Sequence, residues 1–347
     1  MMYMKVFIFE DKDASKWNKF VTTSTNTHCY HQIGWKEVIE KSFGHKTYYL
    51  FSEDNDGKIA GILPLVHLKS YLFGSFMVSL PYFNYGGICA EHEESYSSIL
   101  NESINLANRE GVTHIEFREM RPVENGLQKK ETKVSMLLPL PQSAENLWNS
   151  IGSKLRSQVR RPEKEGMYHR IGREEELDTF YEVFSENMRD LGTPVYSRTF
   201  FLNVLKAFPS SSWVCSVYTK DGKAVASGFL VGFKDTLEIP WGSSLRGYNS
   251  LSPNMLLYWT CLKFACDSGY RVFDFGRSTP NEGTYKFKEQ WGAKPLQLYW
   301  YYWMQGDKAM PELNPHNPKF TLAINIWKKL PVGLTKLIGP PIVKNLP

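Results

Sequence analysis

Apolar and polar positions along the chain fall into two stretches that carry the same succession of signals. In the first, a helical segment "GWKEVIEKSFG" leads to a strand "TYYLFSE", a turn "DNDGK", a strand "IAGILPLVHL", a strand ending at "SLPYFNYGG", a helix "SYSSILNESINLANREG" and a strand "VTHIEFRE". In the second, "TFFLNVLKAFP", "WVCSVYT", "KDGK", "AVASGFLVGF", "TLEIPWGSS", "NMLLYWTCLKFACDSG" and "YRVFDFGRS" occupy the same places. The landmarks keep step: Gly57 and Gly222 are 165 residues apart, Pro81 and Pro240 159, and Gly111 and Gly269 158. Asp-Gly between apolar runs signals a hairpin. A glycine that closes a helix before a short apolar strand marks a cap leading into a parallel neighbour. Each stretch therefore predicts helix, antiparallel strands, helix and strand: a mixed α/β sheet, present twice.

Between the copies lie "MLLPLPQ", a strand broken by Pro139 and Pro141, and a helix "AENLWNSIGSKLRSQVRR" stopped by Pro162. This divides the chain into a first domain over 1–140, a second over 141–305 and a tail over 306–347. Within the tail, Phe320 to Leu330 predicts a basic amphipathic helix packed back on the first domain, with a peripheral membrane contact as the alternative. The most apolar window, "GILPLVHLKSYLFGSFMVSLP", is interrupted by Pro64, His67, Lys69 and Gly74, so it reads as two strands and not as a membrane span.

Length and composition narrow the function classes. A chain of 347 residues suits two cores, and 42% apolar with 14% aromatic residues argues against disorder. A net charge of +5 does not describe a histone-like nucleic-acid binder, although it leaves room for a local basic groove. Five scattered cysteines without a CxxC pair read as reduced. The start turns charged too soon for a secretion signal, so the expectation is a cytoplasmic protein, with the inner face of the membrane as a second location. No GxxxxGK(S/T), GxGxxG, GxSxG or HExxH is present. His28 and His31 would need further ligands to hold a metal, and "EDNDG" lacks the closing Glu of a calcium loop; no metal and no cofactor are expected. What remains is a unit that needs no nucleophile, as in acyl transfer by direct aminolysis, where rate comes from proximity and electrostatics.

The order of elements in each stretch resembles the acetyltransferase-like (GNAT) architecture. There the pyrophosphate of acetyl-CoA sits on a turn of the type Q/R-x-x-G-x-G/A at a helix start. Here that turn is "RGYNSLSPN", without those glycines, so CoA is disfavoured. The phrases "RDLGTPVYSRTFF", "EIPWGSSLRGYNSLSPNMLLYW" and "FDFGRSTPNEGTYKFKEQWGA" are similar to the FemAB aminoacyltransferase group, closest to its branch associated with PEP-CTERM and exosortase systems. The likeness covers about residues 28 to 303. It implies transfer of an amino acid from aminoacyl-tRNA, as donor, to an amine of a sugar or peptide envelope precursor, as acceptor. The coiled-coil arm of some members has no counterpart, since no heptad run exists. The branch points to exopolysaccharide export. An acyl-CoA or acyl-carrier donor, and a non-catalytic precursor-binding role in export, are the rival readings; oligomeric state is not set.

Candidate site residues gather after the last strand of the second stretch. If Phe273 to Gly276 is a central strand, its carboxyl end opens where ligands of α/β sheets sit, and Arg277, Lys286 and Lys288 would face anionic groups. The resemblance places the pair Phe287 and Lys288 beside the aminoacyl end of the tRNA; the rival is a strand with Lys286 and Lys288 exposed, alternating with buried Tyr285 and Phe287. Asp274 either points to the cleft or pairs with a neighbouring strand. Trp241, Ser243, Tyr248 and Asn254 are further substrate-binding candidates. Asn254 is equally a helix cap. Arg198, at a helix start, fits a phosphate or a salt bridge, and Asp190 fits a site or a helix-end carboxylate. In the first stretch Lys36 fits a phosphate or a solvated helix face, and Tyr82, Asn84 and Tyr85 fit a sugar cleft. Lys154, Arg156, Arg160, Arg161 and Lys164 place cations on one helix, a docking surface for tRNA or a solvated face.

Overall fold

In a computed structural model, which describes residues 4–71, 73–306, 308–311 and 318–346, the chain divides into two units. The first comprises 4–134, 296–311 and 344–346; the second comprises 135–295 and 318–343. Strands and helices follow in chain order as β1 (Lys5–Ile8), α1 (Ala14–Thr23), α2 (Gly34–Phe43), β2 (Lys46–Glu53), β3 (Ile59–Ser70), β4 (Gly74–Ser79), β5 (Cys89–Ala90), α3 (Glu93–Glu110), β6 (His114–Glu119), β7 (Gln128–Lys130) and β8 (Val134–Pro139). Then come α4 (Ala144–Ser150), α5 (Ser153–Lys164), β9 (Tyr168–Gly172), α6 (Leu177–Leu191), α7 (Arg198–Ala207), β10 (Ser212–Tyr218), β11 (Ala224–Phe233) and β12 (Thr236–Ser244). The remainder is α8 (Pro253–Asp267), β13 (Val272–Ser278), α9 (Gly283–Glu289), β14 (Lys294–Gln297), β15 (Tyr299–Met304), α10 (Pro318–Trp327) and α11 (Val332–Val343).

The first unit holds a sheet ordered β1-β2-β3-β4-β6-β15-β7, with β5 also on β3. The second holds a sheet ordered β14-β8-β13-β12-β11-β10-β9. The expected repeat is visible in the pairing. β2, β3 and β4 pair antiparallel, and β4 runs parallel to β6 through the crossover helix α3. Likewise β10, β11 and β12 pair antiparallel, and β12 runs parallel to β13 through α8. A strand returns parallel to its neighbour only through a long crossover, which in each copy is a helix. Gly111 caps α3 at φ 64°, where a side chain would be strained, and the chain re-enters the sheet at once.

β3 is buried on both faces from Ile59 to Leu68, and Pro64 passes without a break; its carbonyl accepts from the Leu80 amide. The first core packs Leu50, Leu63, Leu65, Met77, Ile99, Ile115 and Phe117 between sheet and α3. The second centres on edge-to-face contacts of Phe201 with Phe180, Phe184, Phe200 and Trp241. Helix α8 is apolar on most of its circumference, as a helix buried against a sheet must be.

Four expectations need correction. The division falls between residues 134 and 135 and not at 140, because β8 joins the sheet of the second unit while β15, from beyond it, pairs with β6 in the first. The helix read over 144–161 is two helices, separated at Ile151 and Gly152, whose backbone is extended. Lys286 and Lys288 lie on a helix and not on a strand. The tail forms two helices, and they pack on the second unit. Gly192, capping α6, makes room for Ile324, since a methyl there would lie 2.5 Å from Ile324 Cγ2. Gly339 of α11 lies against the Val195 backbone, Arg189 donates to the Leu330 carbonyl, and Lys336 pairs with Glu182. The five cysteines are free and buried. Among the described residues no helix is long and apolar enough to cross a membrane.

Candidate active site

The parallel ladder of β12 and β13 stops at Glu238 opposite Asp274, so the last residues of both strands are not paired with each other. Gly276, at φ 75°, takes β13 into its final turn. A short helix, α9, then brings the chain back. It is anchored by buried Trp291 just beyond its end and by Phe287, whose ring stands edge-on to Tyr258 at 4.9 Å. This places Lys288, only 7% exposed, at the carboxyl end of the strand. Its Nζ donates to the carbonyls of Gly276 and Arg277, at 2.9 Å each.

Beneath it, Asp274 is fully buried and accepts from the Ser135 hydroxyl and the Gly276 amide, both at 2.7 Å. Of the two orientations expected for Asp274, the one that ties neighbouring strands is present. Burial pushes the Lys288 ammonium down to about 8, against the pull of Asp274 and Glu238, and nearby Arg277 lowers it further. At neutral pH the group is cationic. An ammonium has three donors, and two are spent on backbone. Ser278, three per cent exposed and two residues beyond the Gly276 turn, has a hydroxyl without a partner among the described residues. The strand end thus offers an ammonium with one uncommitted N–H, held by α9 against two strand carbonyls, and an unsatisfied hydroxyl on β13 itself.

The structure brings Asp274, Arg277, Phe287 and Lys288 together and gives most other candidates different work. Arg277 and Lys286 are exposed. Trp241 is buried in the aromatic cluster, and Ser243 accepts from Asn187 of α6 at 3.0 Å. Tyr248 lies under Lys223. Asn254 is not a cap: α8 begins one residue earlier, at Pro253. Arg198 pairs with Asp178, Asp190 with Arg189, and Lys36 with Glu40. Tyr82 donates to the Lys344 carbonyl, and Asn84 offers its carbonyl to Trp300. Tyr85 is buried against His28 and Tyr30. On α5, Arg156 ties down the end of α4 through the carbonyls of Trp148 and Ile151, and Arg160 lies over the Trp148 ring. Lys154, Arg161 and Lys164 are exposed.

Residues missed in the sequence are Ser135, Glu238 and Ser278. Glu238 had a signal: "LEI" in β12 repeats the buried acid of "FDF" in β13, and the two acids lie directly opposite each other. The turn that would cradle a CoA pyrophosphate is poorly furnished. Pro253 has no N–H, and the amides of Ser252 and Met255 are already bonded, to Asn249 and Ser252.

Residues 150–289 match the acetyltransferase (GNAT) domain family. No curated protein matches the chain in sequence. Among solved structures, FemX is similar over 86% of this chain and 97% of its own, with TM-score 0.65 and 16% identity. L-PGS from Bacillus licheniformis covers 86% of this chain and 98% of its own, with TM-score 0.53 and 11% identity. A tandem GNAT protein from the clavulanic acid biosynthesis pathway covers 88% and 100%, with TM-score 0.55 and 8% identity. These identities speak for the fold alone. Together these findings describe a chain with two mixed sheets, of which residues 150–289 carry a match to the acetyltransferase (GNAT) domain.

Proposed function

We propose that the chain moves an aminoacyl group from aminoacyl-tRNA to an amine of a cell-envelope or exopolysaccharide precursor, without a covalent intermediate. The observation that carries this is Lys288, held cationic at the end of β13 with one donor to spare. In the reaction the acceptor nitrogen attacks the ester carbon, the C–N bond forms, and the C–O bond to the tRNA ribose breaks. The amine proton passes to the ribose oxygen. Negative charge grows on the carbonyl oxygen between these events, and the third Lys288 N–H is available to it.

A tRNA donor is favoured over CoA by the blocked amides at the start of α8 and by the exposed cations of α5, which suit phosphates. The likeness to FemAB aminoacyltransferases supports the same choice. Calorimetry should therefore give no micromolar acetyl-CoA affinity, while charged tRNA should bind with strong salt dependence; the reverse ranking would favour the acyl-CoA reading.

The tail supports work at a membrane surface. Of nine large hydrophobic residues exposed among the described ones, five belong to α10 and α11: Leu322, Ile326, Leu334, Leu337 and Ile342. From residue 313 onward the sequence has five lysines and no acid. Lys336 pairs with Glu182, but exposed apolar groups beside the other lysines fit an anionic bilayer, each such lysine near the surface adding about 1 kcal/mol. The protein should sediment with phosphatidylglycerol vesicles at low salt and not with phosphatidylcholine, and Ile326→Glu with Leu337→Glu should abolish this. Equal sedimentation of the double variant would remove the tail from the account.

A further inference from the structure

A cavity lies in the first unit. It measures about 660 Å³ and sits at the carboxyl end of β6, where the parallel ladder with β4 ends at Val78 and Glu116. It occupies the place in the first repeat that the Lys288 site occupies in the second, yet its chemistry differs. The floor is Glu119, 7% exposed, whose Oε1 accepts from the Ile88 amide at 2.8 Å. The carboxyl lies so close to Gly87 that a methyl there would come within 2.3 Å of it. Among the described residues no cation pairs with Glu119. Its neighbour Arg118 is spent on Glu116, on the Phe83 carbonyl and on the Trp300 ring.

The other groups around the cavity do not supply a charge to Glu119. His31 Nδ1 accepts from the His28 amide, so its proton is on Nε2, which donates to the Gly87 carbonyl, and the ring is neutral. Tyr96 and Tyr301 are phenols bonded to Asn125 and to the Val123 amide. Besides Glu119, the rim carries Glu91, Glu93 and Glu124 against Arg121, with His28 and His92 beside them. Burial pushes the Glu119 carboxyl up to about 8, which the Ile88 amide only partly offsets. A buried acid facing a cavity without a counter-ion is a place for a cation brought by a ligand. The walls add the amides of Asn26, Asn101 and Asn125 and the hydroxyl of Tyr96, groups that suit hydroxyls.

We propose that this cavity binds a small polyhydroxylated molecule bearing a primary ammonium, with Glu119 as its counter-ion. The proposal stands on the first unit and does not depend on the reading of Lys288. It is tested by calorimetry of the full chain with 6-amino-6-deoxyglucose, with glucose as the neutral control. The amine is expected to bind at least about tenfold more tightly than glucose. Because Glu119 must give up its proton, affinity should rise up to about tenfold per pH unit between about pH 6 and 8. The decisive profile is wild type against Glu119→Gln, which should be flat and at least about tenfold weaker. Should that variant misfold, Asn101→Trp, which fills the cavity from its exposed wall, should also lose binding. Equal binding of glucose, the same pH profile in Glu119→Gln, or full binding by Asn101→Trp overturns the proposal.

Discussion

Lys288→Ala is expected to lower kcat for aminoacyl transfer by about 10²- to 10³-fold with little change in KM, the cost of losing one donor that acts mainly on transition-state charge. The group contributes only while cationic. Since Lys288 is held at about 8, activity of the wild-type protein should fall as pH rises through that value, and Lys288→Arg, cationic throughout, should lose this limb whatever its absolute rate. Truncation has a structural cost as well. Two carbonyls at the strand end lose their donor, about 1–3 kcal/mol each if they stay buried, so the variant must be assayed below its lowered melting point. An unaltered kcat in a folded Lys288→Ala protein would remove the residue from the chemistry and leave it as a clamp on β13.

Asp274→Leu is expected to be the most destabilising single change in the second unit. It keeps roughly the volume but strands the Ser135 hydroxyl and the Gly276 amide, both buried at the junction of β8 and β13. At about 1–3 kcal/mol per unsatisfied group the loss is about 3 kcal/mol. For a unit of this size that lowers Tm by roughly 6–12 °C. Asp274→Asn, which keeps an acceptor, should lose much less. A scanning calorimetry trace with Asp274→Leu at the wild-type Tm would show that the two hydrogen bonds are dispensable.

The repeat was legible because it rests on local signals: Asp-Gly turns, a glycine after each crossover helix, apolar strands between them. The exchange of strands was not. Nothing in "VSMLLP" records that its Ser135 will donate a hydrogen bond to Asp274, 139 positions away, and nothing in "YWYYWM" records that it will pair with β6 of the first sheet. Lys286 and Lys288 were ambiguous for a different reason. Over seven residues the periods of a strand and a helix cannot be separated, and the buried Trp291 that fixes α9 lies outside the alternating stretch. Of the basic candidates, Arg156, Arg198 and Lys36 each have a partner inside their own unit, which no signal in the sequence disclosed. Glu119 went unnoticed because the acid that ends "HIEFRE" looks like an ordinary strand terminus until the chain around Gly87 closes over it.

The central claim is tested most directly by incubating the protein with a pool of tRNAs charged with labelled amino acids and an extract of envelope and exopolysaccharide precursors. The account predicts that label appears in a precursor-linked amide resistant to mild base, that Lys288→Ala forms little of it, and that labelled acetyl-CoA gives none. Transfer of label from acetyl-CoA, with none from charged tRNA, would contradict it.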